Sequence, residues 1–172
     1  MNKKPLISVV ITYYKKKKFI KKTINSILKQ NYTKYEIIFI YDDDDKKDLQ
    51  YLKDLLRPFK IKKLVINNKN IGVARSRNLA LKHCNGQYIA FIDSDDLWKK
   101  NKLKLQINFM KKNNYFFTYT YYKTFKINSS VKNNIFMPMK FNFESFTKNT
   151  SIATSAMIVK RIVAKGIKFS NT

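Results

Sequence analysis

Gly86-Gln87-Tyr88-Ile89-Ala90-Phe91-Ile92-Asp93-Ser94-Asp95-Asp96-Leu97-Trp98 is the stretch that decides the fold of this chain. Its apolar run, Tyr88 to Ile92, has no polar face, which suits a strand buried on both sides of a parallel sheet. The run stops abruptly at Asp93-Ser94-Asp95-Asp96. Alternate carboxylates at a strand end reach one divalent ion, directly or through its water shell. Mg²⁺ and Mn²⁺ take hard oxygen ligands and keep waters or phosphate in their shell. A cation held by Asp93 and Asp95 would neutralise a diphosphate and the charge that grows on it as a bond to it breaks.

Outward from this strand, the same kind of element recurs. Ile7 to Thr12, Tyr35 to Tyr41 and Lys63 to Ile66 read as further buried strands. Between them, Phe19, Ile20, Ile24, Ile27 and Leu28 fall at helical spacing. Leu49, Leu52, Leu55 and Leu56 mark a second helix closed by Pro58. Gly72 opens a third, which Asn85-Gly86 would close as a C-cap turn. Leu103, Ile107 and Met110 ride a fourth. Beyond Asn114, Phe116 to Tyr122 and Ser155 to Val159 read as strands, separated by a polar stretch with Pro138. Strand and helix alternate at short spacing, so the fold class is α/β, a mainly parallel sheet with helices on both faces.

Ligands of such sheets bind at the carboxyl ends of the strands. Those ends are Thr12-Tyr13, Asp42-Asp43, Asn67-Asn68 and Asp93-Ser94-Asp95. A strand-to-helix turn favours Asp, Asn and Thr as caps in any case. Four polar ends together, with carboxylates doubled or tripled, shift the balance toward a site. Arg75 and Arg77 can meet the same anion, beside the helix N-terminus at Gly72-Val73-Ala74.

The 172 residues suit one domain with a continuous core, and their 44% hydrophobic content excludes a disordered chain. No apolar run approaches the roughly 18 residues that span a bilayer. The N-terminal apolar run lacks a small-residue cleavage site and fits a first buried strand better than a signal peptide. Cys84 alone excludes an intramolecular disulfide and a cysteine-rich zinc site, and His83 reads as a solvated helix end. The net charge of +25 is spread along the chain among Asn, Ile, Tyr and Phe, a pattern that coding bias gives. It suits peripheral contact with an anionic membrane and argues little for nucleic acid. Acidic residues say more: of 11, five lie in Asp42 to Asp48 and three in Asp93 to Asp96.

With these pieces in order, the chain resembles glycosyltransferase family 2, whose members share the nucleotide-diphospho-sugar transferase (GT-A, Rossmann-like) fold. Ile7 to Tyr14 is similar to the opening strand ending in P-T-Y-N, and Thr23 to Gln30 to the helix ending in S-V-L-x-Q. Tyr35 to Asp43 resembles E-I-I-I-V-D-D, and Asn70 to Asn78 resembles N-x-G-x-x-x-A-R-N. Gly86 to Trp98 is similar to G-x-Y-I-A-F-L-D-S-D-D-x-W, and Thr154 to Arg161 to a later strand lining the acceptor side. The likeness spans nearly the whole chain.

The resemblance implies transfer of a sugar from a nucleotide-diphosphate donor, UDP-linked, to a hydroxyl acceptor, with inversion. Surface polysaccharide or a lipid-linked glycan is the implied setting, in the cytoplasm or peripheral at the cytoplasmic face of a membrane. It implies that Thr12, Tyr13 and Asp42 line the nucleotide base and that Arg77 contacts the base or diphosphate. Asp93 would sit by the ribose and the metal, Mg²⁺ or Mn²⁺, with Asp95 the metal ligand proper. One domain, 1–172, would then divide into a nucleotide-sugar-binding half, 1–98, and a partial acceptor-side half, 99–172.

Departures from the pattern are informative. Tyr14 stands for the usual Asn and Tyr41 for the first Asp of the pair; Asp43-Asp44-Asp45 extends the charge and is expected to be solvated. Inversion needs a general base, and the only carboxylate after Asp96 is Glu144. Asp96 and Glu144 are the weak candidates, Asp96 serving equally well as a helix cap. The family's E-D-type motif would fall about where the chain stops, so truncation or a base from elsewhere is expected. The alternatives are a truncated nucleotide-sugar-binding domain with little turnover, a basic nucleic-acid-binding protein, and a nucleotidyltransferase. The last lacks its Gly-rich signature near the first strand, and a nucleic-acid binder leaves the clustered aspartates unexplained.

Overall fold

A computed structural model describes residues 4–59, 63–125, 132–136, 152–164, 166 and 168–170. Four strands, β1 (Ile7–Tyr13), β2 (Tyr35–Tyr41), β3 (Lys63–Ile66) and β4 (Tyr88–Asp93), lie parallel in the order β3-β2-β1-β4. Successive strands are joined by helical crossovers: α1 (Lys17–Leu28), α2 (Lys46–Leu56) and α3 (Val73–Leu81). The sheet continues past β4 with two antiparallel strands, β8 (Ile158–Lys160) and then β5 (Phe117–Thr118). α4 (Lys102–Lys112) precedes β5, and a short α5 (Arg161–Ala164) follows β8.

The expected mainly parallel sheet with helices on both faces is what forms. β1 and β2 are buried along both faces, so neither shows alternation in sequence. Alternation nonetheless sorts their side chains into two cores. Ile7, Val9, Ile11 and Tyr13 pack with Ile20, Ile24 and Ile27 of α1, Leu52 of α2 and Leu103 and Ile107 of α4. Val10, Ile38, Ile40, Ile89 and Phe91 pack with Ala80 of α3 and Ala164 of α5 on the other face.

Three local expectations change. Phe116 to Tyr122 is not one strand: β5 ends at Thr118, and β6 (Tyr122–Phe125) pairs antiparallel with β7 (Lys132–Ile135) in a separate two-stranded sheet. Ser155 to Val159 opens as a 3-10 turn, Thr154–Ala156, before β8 begins. Gly86 is not a left-handed C-cap, since Gly72 is the one glycine with positive φ among the described residues. Its lack of a side chain serves close approach instead: a Cβ there would sit 2.4 Å from the Ser8 backbone nitrogen. Pro138 and Glu144 lie outside the described residues.

Candidate active site

The strand ends of β1, β2 and β4 meet at one edge, with Thr12 aligned between Ile40 and Asp93. By alternation Thr12, Asp42 and Asp93 share the α3 face, while Tyr13 and Tyr41 turn to the opposite core. Tyr13 is fully buried, stacks on Tyr41 at 5.5 Å, and donates its hydroxyl to Asp48 Oδ2 at 2.7 Å. Burial first, then that carboxylate, pushes the Tyr13 hydroxyl well above its ordinary range. Tyr13 therefore does not face the open edge, which corrects the expectation that it lines a base. The exposed ring there is Tyr14, at 42% exposure, with the Lys15 ammonium 5.0 Å from its centroid. An apolar run buried on both faces gives no phase from which to choose between the two tyrosines.

Asp42 is buried, and its carboxylate is taken up by its own surroundings. Oδ1 accepts from Asn67 Nδ2 at 2.8 Å and the Ile71 amide at 2.9 Å; Oδ2 accepts from the Gly72 amide at 3.1 Å. It thus fixes the loop that enters α3, whose N-cap Gly72 takes φ 88°, a conformation that favours glycine. Asp44 and Asp45 are exposed as expected, whereas Asp43 is not solvated. Asp43 is buried with Oδ1 on the Asp44 amide, and Asp45 caps α2 through the Lys47 and Asp48 amides.

The acidic turn is a tight one, closed by the Asp96 amide on the Asp93 carbonyl at 3.0 Å. Ser94 is buried beneath it, and Thr23 of α1 donates to its carbonyl at 3.0 Å. One seam of α1 continues the support. Ser26 Oγ accepts the Trp98 amide, while Gln30 donates to the Lys99 carbonyl and accepts the Leu103 amide. With the underside held, Asp93 and Asp95 remain 35% and 37% exposed. Each faces a base: Arg77 Nη2 lies 2.6 Å from Asp93 Oδ1, and Lys16 Nζ lies 2.7 Å from Asp95 Oδ2. Arg75 is exposed and makes no such pair among the described residues.

Ser155, which falls within an expected strand, ties the segment before β8 to this turn. Its Oγ accepts the Asp93 amide at 2.9 Å and donates to Asp96 Oδ2 at 2.5 Å, and its carbonyl accepts Trp98 Nε1 at 2.8 Å. Asp96 keeps solvent contact on one side, yet burial on the other raises its pKa above the ordinary carboxylate value. Neighbouring Asp93 and Asp95 add to that rise, and the Ser155 hydrogen bond opposes it. Lys102 also escaped notice. Its amine is enclosed over the Trp98 ring at 4.6 Å, donates to Gln106 Oε1, and is lowered by burial to about 7.

Among the described residues no group of three His, Cys, Asp or Glu side chains converges as a ready metal cage. The donor set still suits a hard divalent cation. Asp95 presents an exposed oxygen that already attracts a cation, and Asp93 commits only Oδ1 to Arg77. Mg²⁺ and Mn²⁺ are commonly held by one or two carboxylates plus phosphate and water.

The parallel sheet, the acidic turn at its carboxyl edge and the arginine facing it define a nucleotide-diphospho-sugar transferase fold. Residues 8–166 match the family model Glycosyl transferase family 2, and the chain belongs to that family. It is 35% identical over 164 residues to WfgD of Escherichia coli, a UDP-Glc:alpha-D-GlcNAc-diphosphoundecaprenol beta-1,3-glucosyltransferase. That match covers 95% of this chain and 64% of WfgD, so the chain spans a little under two thirds of that relative's length. It is 33% identical over 175 residues to TuaG of Bacillus subtilis, a putative teichuronic acid biosynthesis glycosyltransferase, covering 99% of this chain and 68% of TuaG. The crystal structure of S. aureus TarS 1-349 in complex with UDP-GlcNAc matches with a TM-score of 0.72 at 23% identity, over 93% of this chain and 46% of that one.

Proposed function

We propose that the chain is the donor-binding part of an inverting glycosyltransferase that moves a sugar from UDP to a hydroxyl of a surface glycan. The observation that carries this reading is the rigid acidic turn, whose two exposed carboxylates face Arg77 and Lys16 at the carboxyl edge of the sheet. A diphosphate fits between such groups, with Arg77 and Lys16 as counter-charges and Thr12 and the exposed Tyr14 beside it toward the base. Asp95, with Asp93, would hold Mg²⁺ or Mn²⁺, which when bound neutralises the departing diphosphate. The Arg77 guanidinium packs 5.6 Å from the centre of the Phe169 ring.

A lipid-linked glycan is the acceptor this reading favours, by likeness to the relative whose acceptor is a diphosphoundecaprenol sugar. The net charge of +25 suits work beside an anionic cytoplasmic membrane face. No helix among the described residues is long and apolar enough to cross a membrane. Asp96, whose Oδ2 accepts the Ser155 hydroxyl beside the turn, is the base this reading favours. Glu144, the other candidate, lies outside the described residues.

Calorimetric titration with UDP and UDP-glucose, with and without Mn²⁺, tests the assignment. UDP binding that requires Mn²⁺ and weakens about tenfold or more in Asp95→Ala is the expected result. Metal-independent binding of DNA or RNA, untouched by that change, would overturn it. Transfer to a lipid-linked acceptor then separates a turning-over enzyme from a donor-binding unit.

A further inference from the structure

The two basic groups at the acidic turn are built differently. Arg77 is 13% exposed on the body of α3, and its guanidinium packs against Phe169. Phe169 is itself pinned, exchanging hydrogen bonds with the Asn78 side chain at 2.8 and 2.9 Å. Arg77 is therefore a fixed charge. Lys16 has a fixed base and a free head. Its carbonyl accepts the Phe19 and Ile20 amides at 2.9 and 3.1 Å, anchoring the backbone as the cap of α1. Its side chain is 43% exposed, and its Asp95 contact is the one hydrogen bond or ion pair the ammonium makes among the described residues. The preceding residue, Lys15, takes φ 51°, which turns the chain so that Lys15 reaches Tyr14 while Lys16 reaches Asp95.

An ammonium and a divalent cation repel each other and cannot share one carboxylate oxygen. We propose that Lys16 is a resident counter-cation for Asp95, which yields that carboxylate to the divalent cation and moves to the donor's diphosphate. The inference rests on the reading of Asp95 as a cation ligand. In the free protein Lys16 keeps Asp95 neutralised, so the site takes up metal weakly. When the diphosphate arrives, the ammonium gains a second anionic partner within reach of its side chain, and Asp95 is released. Donor and cation therefore bind with positive coupling, each raising the affinity for the other by the same factor.

Mn²⁺ titrated into the 172-residue chain without nucleotide, with free Mn²⁺ read by electron paramagnetic resonance, tests this apart from activity. Lys16→Met is expected to tighten Mn²⁺ roughly threefold to tenfold, the range an exposed ion pair and its repulsion allow. Lys16→Arg keeps the charge and should stay within about twofold of the parent chain. The same Lys16→Met chain should bind UDP more weakly while its affinity for uridine is unchanged. Equal Mn²⁺ affinity in Lys16→Met and the parent, with Asp95→Asn weaker than both, overturns the inference and leaves the site reading standing. Parent-like Mn²⁺ binding in Asp95→Asn overturns the site reading and the inference together. Circular dichroism of each variant confirms that the fold is kept at these exposed positions.

Discussion

The two edges of the parallel sheet both gather carboxylates and polar side chains, but they treat them in opposite ways. At the amino edge Glu36 is enclosed. Its Oε1 accepts the Ser8 hydroxyl at 2.6 Å and the Asn85 amide at 2.7 Å, and the Gly86 amide donates to Ser8 Oγ at 2.8 Å. Every partner there belongs to the scaffold, and the result locks β1 to β2 and to the turn before β4. At the carboxyl edge the scaffold holds the backbone of the acidic turn and leaves Asp93 and Asp95 to face side-chain cations and solvent. Asp42 behaves like Glu36 although it lies at the carboxyl edge, because backbone amides take both of its oxygens. What separates a carboxylate free to take a ligand from a structural one is therefore unspent coordination, and a count of acidic residues does not reveal it.

The largest effect should come from breaking the amino edge. Gly86→Ala places a methyl group 2.4 Å from the Ser8 amide nitrogen and must displace backbone. A loss of about 3 kcal/mol in unfolding free energy is expected, measured by urea denaturation. Ser155→Ala comes next, since it leaves the Asp93 amide and Asp96 without their shared hydroxyl. About 2 kcal/mol should be lost, and UDP should bind more weakly because the turn is no longer held. An unchanged UDP affinity would show that Asp93 and Asp95 do not depend on this support.

A pH-dependent effect belongs to Lys102. Burial lowers its folded-state value to about 7, whereas an unfolded lysine titrates near about 10.4. Between these values the unfolded chain binds a proton that the folded chain lacks, so stability should rise with pH, by roughly 1 kcal/mol per unit at most. Above about pH 10 the trend should reverse, because Tyr13 and Tyr41 ionise in the unfolded chain but stay protonated in the folded one, where burial raises both. Melting temperatures from pH 7 to 9.5 check the rise, and Lys102→Met should flatten it.

The order of strands and helices up to α4 was legible because β1, β2 and β4 are buried on both faces and their helices are amphipathic. The same double burial hid the face of each side chain, which is why Tyr13 and Tyr14 exchanged places at the open edge. Glu36, Gly86 and Ser8 were illegible as a group, since their contacts join residues 28 and 78 positions apart. Asp45 as a helix cap and Ser155 as a tie to the turn likewise depend on what the backbone does around them. Lys102 carries no local signal at all: among so many lysines, only its packing over Trp98 distinguishes it.

The most direct test pairs one carboxylate from each edge. UDP affinity in the presence of Mn²⁺ and the melting temperature are measured for Asp95→Asn and Glu36→Gln. Asp95→Asn should lose UDP binding about tenfold or more and melt with the parent chain. Glu36→Gln should lose about 2 kcal/mol of stability and, while folded, bind UDP as the parent does. A stable Asp95→Asn chain that binds UDP normally with Mn²⁺ would contradict the assignment of the acidic turn as the donor site.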